Sequence, residues 1–196
     1  MNPKKSFKGL IISRARLRLL KEFFSFPREA FYIRELARRT KEKINSIKRE
    51  LVNLEESGIL VSERRGNRIF YSPNRNHPFF YPLLVMIAKT FGLGLELEKQ
   101  KARLGKIKLV FFSNRFLKWE SNANEVDILI VGRVVLPEIG VLIVKEEEKR
   151  GREINYAVMD WDEFKLRVTN KDPFIIEFLI KSPAVIIGNE EDIFSI

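Results

Sequence analysis

Residues 44–73 read INSIKRELVNLEESGILVSERRGNRIFYSP, and this stretch decides how the first part of the chain folds. Ile47, Leu51 and Leu54 recur at i, i+4 and i+7, which lays an apolar stripe along one side of a helix. Gly58 stands where a helix ends on a residue of positive φ. The opposite side of the first turns carries Asn45, Ser46, Lys48 and Arg49, with Lys43 just before them. These side chains can hydrogen-bond base edges and phosphates. Two short apolar strands follow, around Arg64, Arg65, Gly66, Asn67 and Arg68. Gly66 and Asn67 are expected to supply the positive φ angles of a tight hairpin turn, which makes the arginines at its tip phosphate or minor-groove contacts.

Working upstream, SRARLRLLKEFF from Ser13 sets Leu17, Leu20 and Phe24 on one stripe, with Ser13 as the N-cap and Pro27 beyond the end. FYIRELARRT reads as a second helix with Ile33, Leu36 and Ala37 inward and Arg34, Arg38 and Arg39 outward. A short polar break, Thr40 to Lys43, separates it from the helix of the quoted stretch. Two helices joined by a turn, the second polar and basic in its first turns, form the helix-turn-helix arrangement, whose second helix fits a major groove about 12 Å wide.

From Ser13 to Pro73, on ELARRT, SIKRELVNLEESGIL and RRGNRIFY, the chain resembles the winged helix-turn-helix regulators of bacteria and archaea, of the arsenic-repressor and multiple-antibiotic-resistance-regulator type. That resemblance implies sequence-specific binding of double-stranded DNA, usually as a two-fold homodimer. Charge agrees with it. Through Asn76 there are nineteen Lys and Arg against eight Asp and Glu; the remaining residues hold seventeen against eighteen, within a whole-chain net charge of +10. A localised positive field steers phosphate backbones to one face.

Composition narrows the chemistry. The chain has no cysteine, which excludes disulfides, Cys-ligated zinc and thiol catalysis, and its single histidine, His77, makes no catalytic triad or His-rich metal site. The first residues, MNPKKSFKGLIISRARLR, lack the long apolar segment and cleavage site of a secretion signal. No apolar run is read as approaching the length of a membrane span. The expectation is a cytoplasmic protein with no membrane association.

PFFYPLLVMIAKTFG, after the break at Asn74, Asn76 and Pro78, reads as a helix apolar on more than one face. Two covers for it stand open: a dimer partner, as in the resembling regulators, or the neighbouring domain of the same chain. From Ile107 strands and helices alternate: IKLVFFS, NRFLKWE, EVDILIVG, PEIGVLIVKEEEKRG and REINYAVM, then helices at DWDEFKLRV and DPFIIEFLIK and a last strand AVIIG. The charged run Glu146 to Glu148 beside Lys149, Arg150 and Arg152 reads as a solvated helix end. The division expected is residues 1–76 for a winged helix, 77–104 for linker or dimerisation helices, and 105–196 for an α/β domain.

Within EVDILIVG, Glu125 and Asp127 are expected at i and i+2 of one strand, so on one face of the sheet. Paired carboxylates with a third from a neighbouring strand hold Mg²⁺ against a nucleoside triphosphate. A strand ending in Ser, a short helix, then acid-x-Asp entering an apolar strand resembles the minimal nucleotidyltransferases of the DNA polymerase beta superfamily, over Ile107 to Gly188. By that resemblance Ser113 meets the triphosphate and Glu125 and Asp127 bind Mg²⁺. The departures are specific. Phe112 stands where the family has Gly, RFLKW replaces a second Gly, the first acid is Glu, and the third falls on Asn155 with Glu153 as substitute. The reading is therefore an α+β chain: an N-terminal winged helix and a C-terminal degenerate nucleotidyltransferase-like domain with a small mixed sheet. That domain is expected to sense a ligand or hold a dimer. The alternative is an active Mg²⁺-dependent nucleotidyltransferase with a targeting winged helix, or a domain pairing with another protein as in toxin–antitoxin systems of that superfamily.

Overall fold

Helix α1 (Arg14–Ser25) opens on a side-chain cap, the Ser13 hydroxyl accepting from the Arg16 amide at 3.2 Å. It thereby satisfies one of the donors that every helix N-terminus leaves orphaned. This is the first element of a computed structural model that describes residues 13–120, 122–189 and 191; the reading of the first twelve residues lies outside it. The described residues form helices and two small sheets, an α+β fold, and the chain divides into two units between Phe91 and Gly92.

In the first unit α1 is followed by β1 (Phe31–Tyr32), α2 (Ile33–Thr40) and α3 (Ile44–Glu56). Lys41, with φ 55°, turns the chain between the last two. Leu36, Ile47, Leu51 and Leu54 are buried under α1, whose Leu19 and Phe23 are fully enclosed. Gly58 takes φ 73° just past α3, as expected of that position. Strands β2 (Leu60–Arg65) and β3 (Arg68–Pro73) pair antiparallel, with Arg65 opposite Arg68, so Gly66 and Asn67 alone form the turn. Gly66 has φ 58° whereas Asn67 is not in the positive-φ region, so one glycine rather than the expected pair bends the hairpin.

Strand β1 departs from the reading of FYIRELARRT as helix throughout. Phe31 and Tyr32 pair with Tyr71 and Phe70 of β3, giving the sheet order β1-β3-β2. Phe31 is 1% exposed and meets Phe23 edge-on at 5.7 Å, so its burial and the pairing with β3 hold these two residues extended against their helical context. Helix α4 (Phe80–Thr90) completes the unit, its Phe80 ring 6.0 Å from Phe24 of α1.

The stretch expected to link two domains contributes α4 to the first unit, and α5 (Gly92–Lys99) and α6 (Lys101–Leu104) to the second. Contrary to expectation, Phe80–Lys99 is long and apolar enough, at mean hydropathy 1.4, to pass for a membrane span. Phe91 leaves helical geometry at φ −142°, ψ 166°, however, and 44% of the window is buried within the protein.

The second unit continues with β4 (Gly105–Phe112), α7 (Asn114–Leu117), β5 (Ile128–Val134), α8 (Leu136–Arg150), β6 (Tyr156–Met159), α9 (Trp161–Thr169), α10 (Pro173–Ile180) and β7 (Ala184–Ile187). The sheet order is β6-β5-β4-β7, with β5 and β6 parallel and the other pairs antiparallel. The central strands β4 and β5 are buried on both faces over residues 109–112 and 128–131, which explains the apolar runs there. Leu109, Phe111, Leu129 and Val131 face Phe164, Ile175 and Phe178 of the two C-terminal helices. Asp160 and Asp172 cap those helices, accepting from the Glu163 and Ile175 amides at 2.8 and 3.2 Å. At Gly132 (φ 144°) a Cβ would strike the Lys106 carbonyl, so the register shift in β4 between Ile107 and Leu109 requires glycine opposite it.

Candidate nucleic-acid interface

Helix α3 buries one side and opens the other. Lys43, Asn45, Lys48 and Arg49 are exposed along the open side together with Val52 and Asn53, while Ser46 is half-buried at its margin. Lys43 and Lys48 form no ion pair among the described residues. What fixes the rotation of the helix is an acid that sequence reading passed over. Glu50 is 3% exposed; its carboxylate accepts from the Ser13 hydroxyl at 2.6 Å and from Arg16 Nε at 2.8 Å. Burial by itself would raise the Glu50 pKa, but the Ser13 and Arg16 hydrogen bonds and the charges of Arg16 and Arg49 outweigh it, and the carboxyl sits below its ordinary value. The signal was present in the spacing, since position 50 falls three residues after Ile47, inside the apolar stripe.

The hairpin presents Arg64, Arg65, Asn67 and Arg68, all exposed. Arg65 pairs with Glu63 at 2.7 Å and lies over the Phe70 ring at 5.1 Å; Arg64 Nε donates to the Gly66 carbonyl at 3.3 Å. Arg68 stacks over Tyr32 at 4.8 Å. Between the hairpin and the start of α2, Tyr32, Ile33, Arg34, Asn67, Arg68 and Ile69 line a groove of about 380 Å³. Arg34 and Arg68 thus share one basic recess, a juxtaposition created by the unforeseen strand β1.

The acids of the second unit are arranged otherwise than expected. Glu125 and Asp127 lie in the bend before β5, not within the strand, and their carboxylates go to different partners. Asp127 is 2% exposed and receives both prongs of the Arg152 guanidinium, Nη1 to Oδ2 at 2.7 Å and Nη2 to Oδ1 at 3.0 Å. The Asn155 amide adds a third bond at 3.2 Å. Glu125 instead takes Arg115 at 2.7 Å, Lys181 at 3.2 Å and the Asn122 side chain at 2.9 Å. Burial works to raise its pKa, yet these partners hold it below the ordinary value. Glu153 is exposed, and its carbonyl accepts from Arg152 at 2.7 Å.

The expected metal set of Glu125, Asp127 and Glu153 is therefore not assembled. Among the described residues no three Asp, Glu, His or Cys side chains are placed to hold a metal ion. A magnesium ion does not fit here, because a guanidinium already supplies the positive charge at Asp127 in fork geometry. Ser113 caps α7, accepting from the Phe116 amide at 3.2 Å, and lines a hollow of about 90 Å³ with Asn114, Glu125, Phe174, Phe178 and Lys181. Pockets for drug-sized ligands span about 300–1,000 Å³. Phe112, where the resemblance expects glycine, is buried and meets Phe116 edge-on at 4.9 Å.

The charged run on α8 is not a fully solvated helix end. Glu146 is 6% exposed rather than solvated, and binds Arg150 Nε at 2.8 Å. The Arg150 guanidinium lies 3.7 Å from the Phe116 ring centre and donates to the Phe116 carbonyl at 2.7 Å. Compared with known proteins, the chain matches no family model, no curated protein and no solved structure.

Proposed function

We propose that this chain is a cytoplasmic, DNA-binding transcription regulator, and that its first unit is a winged helix acting as the reading head. Helix α3 enters the major groove of double-stranded DNA with Asn45, Lys48 and Arg49 toward the bases. The β2–β3 hairpin lays Arg64, Arg65 and Arg68 along the backbone or into the adjacent minor groove. The observation that carries this reading is the open side of α3, whose Lys43 and Lys48 form no ion pair among the described residues, beside an exposed basic hairpin. The order helix, strand, helix, helix, hairpin supports it, as does the concentration of net positive charge in the same part of the chain. A homodimer would present two such heads to two half-sites.

The second unit reads best as a nucleotidyltransferase-like domain that no longer transfers nucleotides and serves ligand sensing or dimerisation. The Arg152–Asp127 pair and the small hollow at Ser113 support this. The test is an electrophoretic mobility shift of the full chain on genomic fragments at 50 and 200 mM salt. Retarded bands at low salt, weakened about 10³-fold at high salt for six phosphate contacts, are expected. Absence of binding at both salts would overturn the reading.

A further inference from the structure

The open side of α3 is not uniformly polar. Ile44 is 43% exposed and Val52 47% exposed. Single exposed apolar side chains are ordinary; these two are distinguished by where they stand. Ile44, Lys48 and Val52 follow one another at i, i+4 and i+8, a row along one helix face. Asn45, Arg49 and Asn53 form the adjacent row, and all six are exposed. The face therefore reads apolar, cation, apolar beside amide, cation, amide.

A face of this kind is poorly suited to an apolar protein partner, because its centre holds Lys48 and Arg49. It is suited to a surface that is anionic at its edges and carries isolated methyl groups between hydrogen-bonding atoms. The major groove is such a surface only where it contains thymine, whose C5 methyl projects there beside the O4 acceptor. At 1.5 Å rise per residue Ile44 and Val52 are about 12 Å apart, or roughly three to four base-pair steps.

Resting on the DNA-binding reading above, we infer that Ile44 and Val52 are specificity-determining residues that each cover a thymine methyl in the half-site. The preferred duplex then carries two A·T pairs about three to four steps apart, flanking the bases read by Asn45, Lys48 and Arg49. Asn45 suits the N6 and N7 edge of adenine, and Arg49 suits O6 and N7 of guanine. The β-branched side chains cost little entropy when covered, since χ1 of Val and Ile in a helix is already restricted.

The experiment uses the full chain. Duplexes are selected from a random-sequence library and bound again with deoxyuridine in place of every thymidine, a change that removes only the C5 methyl groups. Wild type should lose about fifteenfold in affinity for two methyls, from roughly fourfold per buried methyl-sized group. The Ile44→Ala, Val52→Ala double variant should bind thymidine and deoxyuridine duplexes equally. Val52→Thr, which keeps the shape of the side chain, should lose part of the discrimination and confirms that the fold is intact. Equal binding of both duplexes by wild type, with selection otherwise successful, would overturn this inference and leave DNA binding standing. Failure to select any duplex at 50 mM salt would overturn both.

Discussion

The open side of α3 and the acids of the second unit treat charge in opposite ways. On α3 and the hairpin, Lys43, Lys48, Arg49 and Arg64 point outward. Among the described residues Lys43, Lys48 and Arg64 form no ion pair, and Arg49 reaches Glu50 only at 4.0 Å. In the second unit the acids most suggestive of chemistry are already neutralised from within: Asp127 by Arg152, Glu125 by Arg115 and Lys181, Glu146 by Arg150. A charge held in a closed pair cannot bind an incoming ion without breaking that pair, and breaking a buried pair costs several kcal/mol. An exposed and unpaired cation loses only counterions when a phosphate arrives. The contrast supports the proposal that the first unit binds and that the acids of the second hold its structure.

That comparison is open to breakage at several points. The largest effect is expected from Lys48→Glu combined with Arg49→Glu. Fluorescence anisotropy on a selected duplex should show affinity falling by 100-fold or more, about 3 kcal/mol or above, from two lost contacts and two introduced repulsions. Unfolding in urea should shift by no more than about 1 kcal/mol, since both side chains are exposed and Glu50 keeps its Ser13 and Arg16 bonds when the Arg49 charge is lost. An unchanged affinity would separate α3 from the DNA. Asp127→Ala should instead destabilise the second unit by about 3 kcal/mol, because it leaves Arg152 without its counter-charge. Urea unfolding checks this, and a shift below about 0.5 kcal/mol would mean the pair is not structural.

Glu50 sharpens the contrast, being an acid of α3 that is buried and ion-paired like those of the second unit. Its folded pKa lies below the ordinary 4.5, so its contribution is fully present above that pH and is lost as pH falls through the folded value. Glu50→Gln should cost about 1–2 kcal/mol at pH 7 and flatten the acid limb of a melting-temperature profile below about pH 4.5. A profile with the same acid limb as wild type would remove Glu50 from the account. The smallest expected effect is none: 10 mM Mg²⁺ should leave the melting temperature unchanged, whereas a millimolar site would add about 1.4 kcal/mol. Labelled nucleoside triphosphates with Mg²⁺ should correspondingly yield no transfer product.

The helices of the first unit and their caps were legible because each rests on local signals: the i, i+4, i+7 stripe of Ile47, Leu51 and Leu54, Ser13 at an N-cap, and Gly58 past a C-terminus. The hairpin was legible for the same reason, though only Gly66 needed positive φ. Strand β1 was not, since Phe31 and Tyr32 become extended only by pairing with residues some forty positions away. The second unit's strands were visible as apolar runs, but the start of β5 was placed too early. Glu125 and Asp127 alternate with apolar residues as a strand would, yet they sit in the bend before it. What decides their chemistry, Arg152 folding back from beyond α8, is a contact across 25 positions that no spacing rule encodes. The same holds for Arg150 over Phe116: a run of charges looks solvated until the partner that buries it is known.

Amide hydrogen exchange of the full chain, with and without a selected duplex at 50 mM salt, tests the division of roles most directly. Slowed exchange concentrated in residues 43–53 and 64–69, with 125–155 unchanged, is the predicted result. Slowing confined to the second unit, or none in α3 under conditions where the duplex is bound, would contradict it.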